Sequence, residues 1–371
     1  MRIAVSLLNY RPGKIGGTET YLRQLLAWLP ELKGSDELIV VMNRQVAALL
    51  PAGAWGRVVV DATERQLLIA RVGEAFTPYR ARFAEHALAQ ARCDVVLFPQ
   101  QSLFPKRVAW PCLVVAHAVQ HVLQPRQYSW ADRAFRSAAY DYAYRRAERI
   151  VAISQDMKAT LVAQCRVPAA KVVVIPHGSL ELNPAHVQPS TRVAGRFFFY
   201  PAATYPYKGH RTLLQTFAAL RSDGYDGRLV LAGQQTPYWK VLGRDIRRLG
   251  LQSAVIHLGL LPFHEVLELY QAAEAVLLPT TYEGFGLPVM EAVAMRKKLI
   301  TSRLPIFDEW GVPPQYQIDF ADHRQLAAAL ALPGPTCLAK PVWTWRQSMG
   351  ALWDELRRLA ANNGGASRVA G

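Results

Sequence analysis

The sequence predicts an α/β chain of two doubly wound parallel-sheet halves facing across a cleft. Short β-branched or aliphatic runs alternate with helical patterns along the chain. That alternation begins twice, and a turn-rich stretch without apolar period separates the two series. A chain of 371 residues is long enough to give each half a sizeable core.

In the first series, strands are expected at 2–8, 37–42, 57–61, 94–99, 112–118, 149–154 and 171–176, with helices near 18–31, 80–92, 130–147 and 155–165. The stretch HGSLELNPAHVQPSTRVAGR (177–196) reads as a linker. The second series places strands at 196–202, 228–233, 254–259, 275–280 and 298–303, and helices at 209–222, 237–250, 263–273 and 287–296. A last helix is expected over 343–360, with Trp345, Met349, Leu352 and Leu356 at helical spacing, before a frayed ANNGGASRVAG end. The expected domains are 1–180, 190–340 and a returning helix at 341–362. Ligands of such sheets bind outside the carboxyl ends of the strands.

Bulk properties narrow the function classes. With 51% hydrophobic and 19% charged residues the chain is globular. Its first apolar run is short and lacks a cleavage pattern, so it reads as a buried strand rather than a signal peptide. No uninterrupted apolar stretch approaches the roughly 20 residues that span a bilayer. Cys93, Cys112, Cys165 and Cys337 are scattered and read as reduced structural thiols of a cytosolic protein. The net charge of +15 suits nucleic acid, an anionic membrane or a phosphorylated substrate, and charge alone does not choose among them.

The most informative stretch is TYEGFGLPVMEA (281–292). Gly284 and Gly286 allow a tight loop, and Pro288 suits a first helical position because it lacks an N–H. Loop amides and the positive helix end favour an anion such as phosphate. Glu283 before the glycines and Glu291 a turn into the helix could take hydroxyls. The alternative is a plain helix entry with two solvated glutamates. In the same half, Lys208 precedes a helix, with His210 beside it, and can set a cation beside a bound phosphate. In the first half, Gly16 and Gly17 lie between the first strand and its helix, with Thr18 the expected N-cap. This is not a dinucleotide fingerprint, and a plain βα turn explains it as well. His117 ends the fifth expected strand and His121 follows four later, but no acid completes a metal set, so no metal is expected.

These segments carry a resemblance. YPAATYPYKGH, LVLAG, HLGLLPFHEVLELYQAAEAVLLPTTYEGFGLPVMEA and VVAHAVQH resemble the retaining nucleotide-sugar glycosyltransferases of family 4, which have the GT-B fold of two Rossmann-like domains. The resemblance spans most of the chain and is strongest from about 196 to 310. The H-x-x-Q-H and YPA…K-x-H patterns are similar to members that build bacterial O-antigen and capsule chains, often mannosyltransferases. By that resemblance 1–180 binds acceptor and 190–340 binds the nucleotide sugar. Glu283, His117 and Lys208 are then the expected catalytic residues. Gly16, Gly17, Lys208, Gly284, Phe285, Gly286, Leu287 and Glu291 are expected to hold the donor. More closely, Glu283 and the Phe285 and Gly286 amides hold sugar hydroxyls and diphosphate, Glu291 takes the ribose, Lys208 and Gly17 attend the leaving diphosphate, and His117 sits beside the sugar.

The same resemblance implies hexosyl transfer, mannose from GDP-mannose being the expected case, to a lipid-linked or growing polysaccharide acceptor. It needs no cofactor, metal or nucleic acid. The expected place is the cytoplasm, peripheral on the inner face of the cytoplasmic membrane, on an anionic surface. The segment 65–90 mixes Arg65, Arg71, Arg80 and Arg82 with Leu67, Leu68, Phe76 and Phe83 and is the expected contact; an ordinary helix with its arginines in water is the alternative. Three positions depart from the family: Ala118 where Asp is common, Ala202 where an arginine often stands, and RKK (296–298) in place of a glycine. Arg11 and Lys14 are the candidate replacements for that arginine. A nucleotide-sugar epimerase of the same fold and a non-enzymatic basic polyanion binder remain as alternatives.

Overall fold

A computed structural model describes residues 1–12, 16–50, 53 and 55–364. Lys14 and the end of the chain from 365 lie outside the described residues. The chain divides into two compact units, Met1–Gly178 with Trp343–Gly371, and Ser179–Val342.

The first unit is built on a seven-stranded parallel sheet in the order β3-β2-β1-β4-β5-β6-β7. Its strands are β1 Arg2–Ser6, β2 Glu37–Asn43, β3 Gly56–Val60, β4 Val95–Phe98, β5 Cys112–Ala116, β6 Arg149–Ala152 and β7 Val172–Val174. Its helices are α1 Gly17–Leu32, α2 Arg44–Leu49, α3 Glu64–Phe76, α4 Arg82–Gln90, α5 Gln120–Leu123, α6 Trp130–Arg146 and α7 Gln155–Cys165. Every residue of β4 and β5 is buried, as expected of central strands with helices on both faces.

The second unit carries a six-stranded sheet in the order β10-β9-β8-β11-β12-β13. Its strands are β8 Phe197–Pro201, β9 Arg228–Ala232, β10 Val255–His257, β11 Ala275–Leu278, β12 Leu299–Ser302 and β13 Gln317–Ile318. Its helices are α8 His210–Ser222, α9 Trp239–Arg248, α10 Phe263–Ala272, α11 Leu287–Ala294, α12 Pro305–Trp310 and α13 His323–Ala331. Phe197, Phe198, Phe199, Leu213 and Phe217 are at most 1% exposed and anchor its core. Burying a side chain of that size contributes roughly 1.5–3 kcal/mol.

α14, Trp345–Gly364, is the last described element and belongs to the first unit. Its Trp345, Met349, Leu352, Trp353 and Leu356 are buried. Ser348 donates to the Pro176 carbonyl at 2.6 Å, and Arg357 pairs with Asp36 at 2.8 Å. Residues 361–364, expected to fray, continue this helix.

Several local expectations change. Gly16 rather than Thr18 is the N-cap of α1, with φ +50°, and Thr18 is the second helical residue. Leu287 opens α11, and Pro288 comes second. The stretch expected as a linker belongs from Ser179 onward to the second unit: Val193 is buried in its core, and the Ser190 amide donates to the Glu268 carbonyl. The sequence reading placed no helix at α2, α5, α12 or α13 and no strand at β13, and had a helix at α3 only as the alternative for 65–90. α3 hides its period because Leu67, Leu68 and Ile69 are consecutive and apolar, while only Leu67 is buried.

Candidate functional site

In the second sheet the strand order reverses between β8 and β11, because β9 lies on one side of β8 and β11 on the other. Loops leaving two such strands diverge and open a crevice at their carboxyl ends. Lys208 stands after β8, and the Glu283 loop follows β11. Backbone contact joins the two loops. Gly209 has φ +70°, and a Cβ there would stand 2.0 Å from the Pro279 carbonyl oxygen, so only glycine permits the approach. The Tyr207 carbonyl accepts from the Thr281 amide at 2.8 Å and from the Thr280 hydroxyl at 3.2 Å. Tyr200 donates its hydroxyl to the Lys208 carbonyl at 2.8 Å.

This pinning brings Lys208 and Glu283 together as an ion pair through Nζ and Oε1. Their side chains are 16% and 12% exposed, so the pair is shielded from bulk water yet still reachable. The sequence reading gave the two residues separate tasks; in the structure each neutralises the other.

Gly284 and Phe285 lead to Gly286, whose φ of +85° turns the chain into α11. Gly284 and Leu287 are half-buried, and Phe285 is buried. The Phe285 ring lies 4.7 Å from Trp310, whose indole N–H donates to the Phe285 carbonyl at 2.6 Å. That bond fixes the peptide leading to the Gly286 amide. Glu291, one turn on, accepts from the Tyr270 hydroxyl at 2.8 Å. Burial raises its carboxyl to about 7, and the Tyr270 bond lowers it only in part. His210 opens α8 with its ring 4.7 Å from Tyr200, and burial holds it neutral, down at about 3. Ala202, at the position of the family's arginine, is buried.

The first sheet reverses between β1 and β4. His117 follows β5, next to β4, and its Nε2 lies 2.8 Å from the Pro99 carbonyl. That contact makes Nε2 the protonated nitrogen, while buried Nδ1 has no hydrogen-bond partner among the described residues. Burial keeps the ring neutral, with its pKa down at about 4. Gln101 Oε1 accepts from the His117 and Ala118 amides at 3.0 and 2.9 Å, so a glutamine clamps the turn. Tyr21 of α1 meets the His117 ring edge-on at 5.0 Å. Gly16 and Gly17 are exposed at the start of α1, where no side chain caps the helix. Arg11 is engaged by Glu64 at 3.2 Å. His121 lies in α5, edge-on to Tyr140 at 5.2 Å.

Structure thus joins Lys208, Glu283, Gly284, Phe285, Gly286, Leu287 and Glu291 in the second unit. His117, Gly16 and Gly17 belong to the first. Sequence reasoning missed Tyr270, Trp310 and Gln101, because nothing in their neighbourhoods marks them as partners of a loop far along the chain.

Residues 15–179 match the family described as Glycosyltransferase Family 4, and 186–332 match Glycosyl transferases group 1. The O-antigen chain mannosyltransferase RfbU of Salmonella typhimurium is 25% identical over 191 residues, 51% of this chain and 52% of that relative. The chain therefore spans about half the length of that curated relative. Anabaena HepE, solved in complex with UDP and glucose, superposes with a TM-score of 0.65 at 17% identity, covering 96% of this chain and 99% of that one. The UDP-GlcNAc 2-epimerase of Methanocaldococcus jannaschii superposes with a TM-score of 0.57 at 13% identity, covering 96% and 100%. At these identities both likenesses show the fold, two parallel-sheet Rossmann-like units in the GT-B manner.

Proposed function

Because the chain belongs to the glycosyltransferases that join a family 4 domain to a group 1 domain, we propose that it transfers a hexose from a nucleoside-diphosphate sugar to a lipid-linked or growing polysaccharide acceptor. The observation that carries this reading is the Lys208–Glu283 pair at the reversal point of the second sheet, beside the Gly286 turn into α11. Such a place offers a cation, helix amides and a carboxylate together. The cation and amides suit a diphosphate, and the carboxylate suits sugar hydroxyls.

On this reading the C1–O bond to the diphosphate breaks and a C1–O bond to the acceptor hydroxyl forms on the same face. The acceptor's proton passes to the departing phosphate oxygen. Lys208 leaves Glu283 to meet the diphosphate charge as it develops, and Glu283 turns to the sugar. Glu291 takes the ribose hydroxyls, and a role for neutral His117 toward the sugar is part of the proposal. Lys208 and the α11 amides together supply the positive charge the leaving group needs, so the reaction is proposed to run without a divalent metal. Retention, mannose as the sugar and GDP as the nucleotide are further parts of the proposal. RfbU and the O-antigen chain mannosyltransferase B of Escherichia coli, 25% identical over 173 residues, support the sugar and a surface-glycan acceptor. The HepE complex with UDP-glucose supports a nucleotide-sugar donor.

No helix among the described residues is long and apolar enough to cross a membrane. A peripheral place on the inner face of the cytoplasmic membrane is proposed on the net charge of +15 and the exposed apolar side of α3. The deciding experiment offers a panel of nucleoside-diphosphate sugars with a lipid-linked acceptor, and follows the anomeric configuration of product by NMR. Transfer with retention supports the proposal. Interconversion of the free nucleotide sugar without transfer would place the chain with the epimerases instead.

A further inference from the structure

Phe285 stands between Gly284 and Gly286, and a peptide flanked by glycine turns over at little steric cost. Gly286, the N-cap of α11, has φ +85° and ψ +52°. The Phe285–Gly286 peptide of such a turn has two orientations open to it. One presents the Gly286 N–H at the mouth of the helix, and the other presents the Phe285 carbonyl. An anion is attracted by the first and repelled by the second.

Trp310 selects between them. Its indole N–H donates to the Phe285 carbonyl at 2.6 Å, with the two rings 4.7 Å apart and inclined at 59°. In a planar trans peptide the C=O and N–H point opposite ways, so a carbonyl held toward α12 turns the Gly286 N–H away from it. Gly286 is buried, and no hydrogen-bond partner of its amide or of the Leu287 amide is seen among the described residues. A buried N–H without a partner is uncommon and marks a place where a ligand atom fits. Pro288 has no N–H, and the Val289 amide already donates to the Gly286 carbonyl at 2.8 Å.

The indole is itself firmly supported. Trp310 ends α12, and that end is tied to β13 by Gln317, whose Nε2 donates to Asp308 Oδ1 at 2.8 Å and to the Val312 carbonyl at 2.9 Å. Gln317 and Val312 are buried. The Ala339 amide donates to the Gly311 carbonyl at 2.9 Å from the other side. Phe307 of the same helix is fully buried, and a Cβ at Gly286 would stand 3.4 Å from its ring. A buried indole N–H needs an acceptor in any fold. Here the acceptor is the carbonyl whose peptide carries the first amide of α11, in the loop of Glu283.

We propose that Trp310 is a positioning residue for the donor, its N–H holding the Phe285–Gly286 peptide so that the Gly286 amide, and not the Phe285 carbonyl, meets the diphosphate. This rests on the glycosyl-transfer reading, which puts a diphosphate there, and adds a residue that acts only through the loop.

Two variants separate the donated bond from mere packing. Trp310→Phe keeps a large ring against Phe285 but has no N–H. Trp310→His keeps an N–H at the equivalent place of a five-membered ring and loses most of the apolar surface. The full chain is titrated calorimetrically with UDP, GDP, ADP and dTDP, and the matching nucleosides are followed by ligand-observed NMR. Trp310→Phe should bind the preferred nucleoside diphosphate about tenfold more weakly or worse, as expected for one hydrogen bond to a charged group, with nucleoside binding unchanged. Trp310→His should keep more of that affinity than Trp310→Phe, even with a lower melting temperature. The reverse order is what packing alone gives and would overturn the proposal. A parallel loss of nucleoside binding in Trp310→Phe would assign Trp310 to general support of the loop. Tight wild-type binding that Trp310→Phe leaves unaffected would remove Trp310 alone. Wild type binding none of the four diphosphates would overturn the glycosyl-transfer reading, and this inference with it.

Discussion

Tyr270 donates its hydroxyl to Glu291 at 2.8 Å across the interior of the second unit, and burial raises the Glu291 carboxyl from 4.5 to about 7. The folded protein therefore binds this proton more tightly than the unfolded chain does. Its stabilising contribution is full below pH 4.5 and is lost as pH rises toward 7, by on the order of 3 kcal/mol. Glu291→Gln should flatten that part of the stability curve in urea titrations at pH 5 and pH 7. Donor hydroxyls favour the ionised carboxylate, so nucleoside diphosphate affinity should rise with pH through about 7. Calorimetry at pH 6 and 8 showing equal affinity would remove Glu291 from the donor site.

Lys208→Ala should weaken donor binding and slow transfer, by about 1.5–3 kcal/mol for one charge-assisted contact. Glu283→Ala should nearly abolish transfer in a folded protein. Because the two side chains pair, the double variant should lose less than the sum of the single losses. Strict additivity in steady-state kinetics would mean that they act independently.

Gly209→Ala places a methyl group against the Pro279 carbonyl at a positive φ. The loop carrying Lys208 must then move away from the loop carrying Glu283. A loss of stability of about 1–3 kcal/mol for the strained conformation, with a larger loss of donor affinity, is expected. Thermal unfolding with nucleotide titration checks both, and wild-type behaviour would contradict the close approach.

Transfer should survive EDTA, since Lys208 and the α11 amides are proposed to carry the leaving charge. Loss in EDTA with recovery in magnesium or manganese would contradict this.

The membrane contact should lie on α3, but not as the sequence suggested. Leu67 is buried, half-buried Arg71 lies over the Phe135 ring, and Arg80 is held by Glu85. Arg65, Leu68, Phe76, Arg82 and Phe83 of that segment remain exposed, with Ile69 and Val72 beside them. Sedimentation with anionic vesicles should fall when Ile69 and Phe76 are changed to Ser, each cation near the surface adding about 1 kcal/mol. Equal sedimentation with neutral lipid would move the contact elsewhere.

The alternation of apolar runs with helical periods decided by itself that there would be two parallel sheets, because buried strands and amphipathic helices leave their periods in the residues that form them. The Gly-Phe-Gly turn with Glu283 and Glu291 was legible for the same reason, since loop, helix entry and acids lie within one short segment. α3 was not, because its exposed face is as apolar as its buried one, and neither was β13, whose two residues are too few to show a period. Only tertiary structure decided that Lys208 meets Glu283, that Tyr270 holds Glu291, that Trp310 fixes Phe285 and that Gln101 clamps His117. Those contacts join residues on different elements, and which elements become neighbours follows from the order of strands in the sheet, a property that no single segment carries.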